Sequence, residues 1–433
     1  MPDVSNLSRR GLLLAGLAGA AAPVVTPRSG GGAWRAGAVS ALPLVQPIAS
    51  QRAYEAFGVC AHPHFDQSGY KYTRDWMSAL ASVGARYFRG LYAHQHFANR
   101  TTTELARENG IKWGATVCPD LFFPDSDLAG RIRHIASNAA DVCLFIEGVN
   151  EPNNVRGWGS PPPPDWPQRT VAKQRVIWET VRSEPRLSHV HVVGPSLHAS
   201  LSTESDHRRL RDAGLVRYMD FAGLHRYPGG RYPDHLLDQR LSWIKRYWSG
   251  KPAWITETGY TNALHHREKE GHAPVPEDVS AVYAPAALLE ALDRGCKVSW
   301  YELLDDPDPL AKDDIESNFG MFATAFEDAP PWRAKPVVST MRAFLARLDD
   351  PGPPYRPARI GLRVSSEAKD VRATVTGRRD GAVTLHVRRA ANCWDPAARQ
   401  RIPVAPVPVV VETARGSMTL VVDHNVQSIP LRT

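Results

Sequence analysis

Short apolar runs alternate with amphipathic segments along most of this chain of 433 residues. The segments between the runs carry apolar residues at the three- and four-residue spacing of one helix face, as in Tyr72, Trp76, Leu80 and Val83. Eight strand-and-helix units of this kind predict a (β/α)8 barrel, an α/β fold whose parallel sheet closes on itself. The eight predicted strands span residues 57–60, 86–91, 112–117, 142–149, 191–196, 219–224, 253–256 and 297–301.

The pattern changes after residue 348. Residues 349–354 read Asp-Asp-Pro-Gly-Pro-Pro, which ends a helix and is typical of a linker. Four runs rich in β-branched residues follow, with a turn signal at residues 379–381, and they predict a small β-sandwich. We therefore expect a barrel domain over residues 48–348 and a C-terminal β-sandwich domain over residues 349–433.

The N-terminus resembles a twin-arginine export signal. Arg9 and Arg10 precede a weakly apolar stretch, residues 12–22, that is rich in alanine and glycine. This stretch is shorter than the roughly 20 apolar residues that span a bilayer, and no later segment is a better candidate, so no membrane span is predicted. We expect residues 1–47 to be signal peptide and disordered leader, and the mature protein to be secreted or to reside in the periplasm or cell envelope.

Composition narrows the classes of partner. The formal net charge is +7, but basic residues are scattered singly, so the sequence predicts no nucleic-acid partner. The five cysteines lie far apart without a C-x-x-C pair, which disfavours a disulfide framework and a zinc site. Nothing in the sequence indicates an oligomeric state.

Two glutamates stand at the ends of apolar runs, Glu151 after the fourth predicted strand and Glu257 after the seventh. In a barrel the carboxyl ends of the strands meet at one face, so both side chains should reach the same site. Glycoside hydrolysis needs one carboxylic acid to protonate the leaving oxygen and one carboxylate across the sugar ring. The pair therefore favours a sugar-cleaving enzyme that acts on a polysaccharide or oligosaccharide and needs no metal or cofactor.

The ordered pair Asn150-Glu151 and the later Glu257 resemble glycoside hydrolase clan A, which includes families 5 and 39. The resemblance covers about residues 57–348. It implies that Glu151 is the general acid/base, that Glu257 is the nucleophile and that Asn150 contacts the 2-hydroxyl of the reacting sugar. It also implies a retaining mechanism with the carboxyl groups ~5 to 5.5 Å apart.

Further positions match this resemblance. Arg89, at the end of the second predicted strand, and Tyr227, in the run His225-Arg226-Tyr227, resemble groups that keep the nucleophile ionised. Trp300 resembles the aromatic floor of the sugar subsite, with core packing as the alternative. The candidate substrate-binding residues are Asn150, Arg89, His225, Tyr227, Trp300, His62, His64 and Glu302.

Three of these residues rest on weaker signals. An H-x-H pair such as His62 and His64 can bind a metal, but no third ligand has matching spacing, so a sugar contact is preferred. Glu302 is an extra carboxylate expected at the rim of the site. Glu147 lies four residues before Glu151 and should be deeper in the barrel, paired with Arg86 or Arg89.

Several modes of action remain open from the sequence. Long loops after the fourth and seventh strands favour an endo-acting retaining hydrolase. An exo-acting enzyme such as an arabinofuranosidase or xylosidase, a transglycosylase, and a catalytically silent glycan-binding envelope protein are the alternatives. Neither the glycan nor its linkage can be read from the residues.

Overall fold

The computed structural model describes residues 34–35, 42–65, 68–93, 98–121, 123–154, 162–266, 271–306, 315–325 and 328–432. The predicted export signal lies outside these residues. In the part of the chain that is described, no helix combines the length and apolar character needed to cross a membrane.

Eight parallel strands form one sheet. The strands are β1 Phe57–Cys60, β2 Tyr87–Leu91, β3 Lys112–Cys118, β4 Cys143–Val149, β5 His191–Val193, β6 Ala222–His225, β7 Ala253–Thr258 and β8 Lys297–Trp300. They lie in the order β5-β4-β3-β2-β1-β8-β7-β6. The two end strands meet, because Val193 and Phe221 form a parallel bridge and Gly194 N donates to Phe221 O at 2.8 Å. The predicted (β/α)8 barrel is therefore confirmed.

A helix follows each strand and covers the outside of the barrel. These helices are α1 Thr73–Val83, α2 Ala98–Glu108, α3 Asp125–Asn138, α4 Trp166–Ser183, α5 Glu204–Asp212, α6 Leu237–Tyr247, α7 Glu277–Asp293 and α8 Pro336–Leu348. Shorter pieces are the helix Ser50–Tyr54, the 3₁₀ turns Gly69–Lys71, Pro185–Leu187, Leu215–Tyr218 and Ile315–Asn318, and the strand pair Phe322–Ala323 and Arg333–Ala334.

Large side chains fill the interior of the barrel. Tyr87, Phe145, Val193 and Trp254 form one buried cluster. Its polar atoms are satisfied, since Trp254 Nε1 donates to Tyr87 Oη at 2.8 Å and Tyr87 Oη donates to Val298 O at 2.8 Å. The barrel is thus a packed core, and the carboxyl ends of its strands are left to carry a site.

The C-terminal domain is a β-sandwich, as predicted. One sheet contains β9 Ile360–Ser365, β12 Val407–Thr413 and β13 Gly416–Val422, and the other contains β10 Val371–Gly377, β11 Val383–Arg389 and β14 Gln427–Pro430. Their inner faces pack together through alternate residues such as Leu385, Val387, Val409, Val411 and Leu420. A two-residue hairpin pair, Trp394–Asp395 and Gln400–Arg401, projects from this domain.

The segment before the barrel adds an edge strand to each sheet of the sandwich. Leu44–Val45 pairs with β9, and Ile48–Ala49 pairs with β10. Residues 42–47 are therefore ordered, in contrast to the expected disordered leader. Two-residue strands are too short to show a period, and their partners lie more than 300 residues away, so the sequence pattern gave no sign of them.

Candidate active site

The two glutamates lie where β4 and β7 end. Glu257 is the penultimate residue of β7, and Glu151 follows β4 by two residues. Glu151 has a φ of 43°, which is uncommon for a residue with a Cβ. Its backbone N–H donates to Ser196 O at 2.9 Å, and this bond to the chain after β5 holds the unusual conformation.

Three groups surround the Glu257 carboxylate. Arg89 Nη1 donates to Oε1, Tyr227 Oη donates to Oε2 at 2.7 Å, and His225 Nδ1 lies 3.4 Å from Oε2. Burial by itself would raise the pKa of Glu257, but the charges of His225 and Arg89 and the Tyr227 hydrogen bond lower it to about 2. Glu257 is therefore ionised across the ordinary pH range.

The Arg89 guanidinium aims three side chains at once. Besides Glu257, it donates from Nε to Glu147 Oε2 at 2.6 Å and from Nη2 to Asn150 Oδ1 at 2.8 Å. The buried ion pair predicted for Glu147 thus forms with Arg89, whereas Arg86 pairs with Asp349. A rigid planar fork of donors suits this task, because each contact fixes the direction of the others.

Glu147 serves as a structural counter-ion beneath the site. It is fully buried, and it accepts hydrogen bonds from Thr116 Oγ1 at 3.1 Å and Ser196 Oγ at 2.7 Å. Burial would raise its pKa, but Arg89 and His225 outweigh burial and lower it. With both oxygens occupied by protein donors, Glu147 has no oxygen directed to a substrate.

His225 stands between the two glutamates at the end of β6. Its Nδ1 lies 2.9 Å from Glu151 Oε1, and the side chain is fully buried. Burial disfavours the charged imidazole, but the charge of Glu257 and the hydrogen bond to Glu151 overcome this and raise the pKa of His225. The other Glu151 oxygen accepts from Asn154 Nδ2 at 3.1 Å.

One oxygen of Glu151, one of Glu257 and a ring nitrogen of His225 all lie within 4.8 Å of one another. Among the described residues, this is the group of acids and histidines whose geometry would also admit a metal ion. Both oxygens of Glu257 already contact donors of the protein, Arg89 at Oε1 and Tyr227 at Oε2. The arrangement instead presents two carboxylates to one small space.

Trp300 does not line this space. Its side chain is 1% exposed, and its ring packs 5.8 Å from that of Tyr260, so the core alternative is the correct one. The next residue, Tyr301, is half-buried, and its ring lies 6.0 Å from Tyr227 and 5.6 Å from His62. Successive side chains of a strand point in opposite directions. An error of one residue therefore places a core side chain in the cleft, or a cleft side chain in the core.

The residues after β1 form a wall beside Tyr301. His62 Nε2 lies 2.8 Å from Glu302 Oε2, and Glu302 is 1% exposed, so it is buried beneath the site and not at its rim. Burial lowers the pKa of His62 to about 4 despite nearby acids, so the ring is neutral near pH 7. Phe65 stacks on His62 at 4.7 Å, and His64 packs 4.4 Å from Phe65.

The structure adds residues that the sequence reasoning missed. Asn154 contacts Glu151, and His272 packs edge-on against Tyr227 at 4.5 Å, with Phe319 5.4 Å from His272. All three lie in irregular segments, where no periodic pattern marks a side chain as belonging to the site.

The similarity of this chain to known proteins lies in its fold. No protein-family model and no curated protein matches the chain. A glucosidase from Croceicoccus marinus superposes with a TM-score of 0.53 at 12% identity, covering 90% of this chain and 82% of that chain. A β-glycosidase, BGL167, has a TM-score of 0.49 at 14% identity over 70% of this chain and 99% of its own. The glucosidase thus has the same overall fold as this chain.

Proposed function

We propose that this protein is a retaining glycoside hydrolase of the clan A type. The observation that carries the proposal is the approach of a Glu151 oxygen to within 4.8 Å of a Glu257 oxygen. Retaining enzymes hold their carboxyl groups about 5 to 5.5 Å apart, whereas inverting enzymes leave about 6.5 to 9.5 Å for a water molecule. The Croceicoccus marinus protein with the same overall fold is named a glucosidase, which supports a sugar-cleaving reaction for this chain.

In the first step, Glu257 attacks the anomeric carbon of the sugar while the bond to the leaving oxygen breaks. Glu151 gives its proton to that oxygen, and an ester between sugar and Glu257 results. In the second step, Glu151 takes a proton from water, the water oxygen attacks the anomeric carbon, and the ester bond breaks. The sugar leaves with its original configuration, and both glutamates return to their starting states.

The surroundings of each glutamate suit these roles. Arg89 and Tyr227 keep Glu257 ionised and directed into the cleft. Asn150 Oδ1 accepts from Arg89, which leaves its NH₂ group as the donor for the sugar 2-hydroxyl. The rings of Tyr301 and Phe65 offer apolar faces for the C–H face of a sugar.

Trapping the intermediate tests the nucleophile. A 2-deoxy-2-fluoro glycoside with a good leaving group should inactivate the enzyme and add one sugar mass to the peptide that contains Glu257. NMR of the first product formed should show the same anomer as the substrate. Inverted product, or a label on another residue, would contradict the proposal.

Replacing the proton donor tests the second role. Glu151→Ala should slow substrates with poor leaving groups by about 10² to 10⁴-fold and should affect activated aryl glycosides far less in the first step. Azide should restore turnover of the activated substrates and yield a glycosyl azide, since the small anion enters the space left by the carboxylate. Asn154→Ala is a suitable control, because it removes a partner of Glu151 and keeps the acid.

For substrate and location, we propose an exported enzyme that acts on an oligosaccharide or polysaccharide, preferably inside the chain. A screen of polysaccharides and aryl glycosides distinguishes the alternatives: oligomers released by wild type indicate endo action, and monomers alone indicate exo action. No turnover on a broad panel would favour a glycan-binding protein. Export is tested by cell fractionation with the double change Arg9→Lys and Arg10→Lys, which should leave the protein in the cytoplasm.

A further inference from the structure

The hairpin of the C-terminal domain lies on the barrel loops that follow β6 and β7. The strand pair Trp394–Asp395 and Gln400–Arg401 forms the hairpin, and residues 390–402 make its contacts. Other contacts between the domains lie elsewhere, as where Arg388 pairs with Glu290 and Asp293 of α7. The hairpin therefore reaches over to the face of the barrel that carries both glutamates.

Its contact with the loop after β6 uses the backbone of that loop. Tyr232 N donates to Asn392 Oδ1 at 2.7 Å. Gly230, with a φ of 76°, lies so close to Pro396 that an added Cβ would meet the proline Cβ at 2.9 Å. The same loop begins with Tyr227, which donates to the nucleophile.

Its contact with the loop after β7 is also built from specific hydrogen bonds. The Trp394 indole is 5% exposed and donates from Nε1 to Pro274 O at 3.1 Å. Arg399 Nη1 donates to Leu264 O at 2.9 Å in the same loop, and Cys393 N donates to Tyr283 Oη of the following helix α7 at 2.9 Å. The loop is thus held at its beginning and at its end.

A short path leads from this contact to the catalytic carboxylate. His272 lies two residues before Pro274, is 8% exposed, and packs edge-on against Tyr227 with ring centroids 4.5 Å apart. Tyr227 Oη in turn lies 2.7 Å from Glu257 Oε2. The two loops also touch directly, because a Cβ added at Gly229 would lie 2.8 Å from Gly271 O.

We infer that Trp394 of the C-terminal domain is a positioning residue of the active site. Its indole N–H fixes the loop after β7, so that His272 supports the Tyr227 ring and the Tyr227 hydroxyl points at Glu257. The inference rests on the proposed function in naming the reaction that Trp394 assists. It gives the β-sandwich a role in catalysis besides its packing against the barrel.

The hydrogen bond from Trp394 Nε1 to Pro274 O should matter more for the position of the loop than the apolar area that the ring buries. Without the indole N–H, the buried Pro274 carbonyl loses its donor and the loop can relax toward water. A small displacement of His272 then weakens the support of Tyr227. Since the Tyr227 hydrogen bond lowers the pKa of Glu257, the pKa of Glu257 should rise.

The test compares Trp394→Phe, which keeps an aromatic ring and removes the N–H, with Arg401→Ala. Arg401 lies in the same hairpin, but its exposed side chain pairs with Asp278 at the start of α7. Trp394→Phe should lower kcat by about three- to tenfold, since misplaced catalytic groups lose rate steeply, with a smaller change in KM. Arg401→Ala should change kcat by less than about twofold, since an exposed ion pair contributes little.

A double variant makes the test specific. If Trp394 acts through Tyr227, Trp394→Phe should add little to the loss already caused by Tyr227→Phe, because residues in one chain of contacts are not additive. If the double variant loses the full product of the two single losses in kcat, the inference is wrong. It is also wrong if Arg401→Ala lowers kcat as much as Trp394→Phe does. A loss of thermal stability with unchanged kcat would likewise overturn it.

A measurement independent of turnover separates this inference from the proposed function. Carbon-13 NMR of the Glu257 carboxyl reports its pKa in the full-length protein whether or not any glycoside is cleaved. Trp394→Phe should raise that pKa, and Arg401→Ala should leave it in place. An unchanged Glu257 pKa in Trp394→Phe would refute the positioning role, and a wild type without glycosidase activity would refute only the proposed function.

Discussion

Two buried arginines, Arg388 and Arg89, each hold a network of charged side chains. The two networks differ in whether one of their carboxylates remains accessible to solvent. At the domain interface, Arg388 is fully buried and donates to Glu290 at 3.0 and 2.8 Å, to Asp293 at 2.8 Å and to Thr374 at 2.9 Å. At the barrel face, Arg89 donates to Glu147, Glu257 and Asn150. Both networks bury charge and satisfy it with hydrogen bonds.

The interface network closes on itself. Glu290 also accepts from Tyr232 Oη at 3.0 Å and from Arg294 at 2.6 Å, and it is 1% exposed. At the site, Glu257 retains 8% exposure and faces the partly exposed Glu151. Solvent therefore reaches the second network more readily than the first.

The comparison shows that a shifted pKa does not by itself identify a catalytic group. Burial would raise the pKa of Glu290, but Arg388 and Arg294 lower it, as Arg89 and His225 do for Glu257. What separates the two is the approach of a second, independent carboxylate across an accessible space. Perturbed pKa values suggest candidate functional groups, and the geometry around each group decides which candidates can form a functional site.

The largest effect should separate the two glutamates. Glu257→Gln should lower kcat by about 10⁴-fold or more while the protein stays folded, because the amide cannot form the glycosyl ester. Glu290→Gln, the matched change in the other network, should keep kcat near that of wild type and lower the melting temperature. Wild-type rates in Glu257→Gln would remove it as the nucleophile.

The second prediction concerns stability. Arg388→Met removes the fully buried counter-charge of Glu290 and Asp293 and leaves Arg294 as the remaining partner of Glu290. Removal of one partner from a buried pair costs about 3 to 5 kcal/mol. Urea unfolding of the full-length protein should show this loss in the free energy of unfolding, while kcat of the folded fraction changes by less than about twofold. A large fall in kcat at unchanged stability would mean that the interface network belongs to the active site.

The smallest effect tests the fine tuning of the nucleophile. Tyr227→Phe should lower kcat by about tenfold, in line with the loss of one hydrogen bond to a charged group. In its proposed role as nucleophile, Glu257 acts in its ionised form, so activity should fall as the pH drops through its pKa. Because that pKa is about 2 in wild type and should rise without the Tyr227 hydroxyl, the acid limb should move to higher pH.

A pH profile of kcat/KM from pH 3 upward detects this shift, because wild type should stay near its plateau there while Tyr227→Phe loses activity toward the acid end. Tyr232→Phe is the matched control, since its hydroxyl contacts Glu290 in the interface network. It should alter the melting temperature and leave the acid limb in place. An identical limb in Tyr227→Phe and wild type would show that Arg89 and His225 alone set the pKa of Glu257.

Much of the fold and part of the site followed from local pattern. The alternation of apolar runs and helical spacing predicted the barrel, and the positions of Glu151 and Glu257 at strand ends predicted that they would share one face. That Trp300 packs in the core while Tyr301 lies beside Tyr227 did not follow, because neighbours in a strand point to opposite faces and the pattern does not show which of the two points inward. Glu302 was likewise placed at the rim, although it is buried against His62.

What the sequence determined by itself was the eight strands of the barrel, the change to a β-rich C-terminal part and the pair of strand-end glutamates, since each depends on neighbours in the chain. Only the tertiary structure decided which side chains meet: the three-way contact of Arg89, the bridge of His225 between the glutamates, the edge strands from residues 44–49, and the hairpin at Trp394. These contacts join residues that are dozens to hundreds of positions apart. Their geometry depends on how the barrel closes and the domains dock, which no local pattern records.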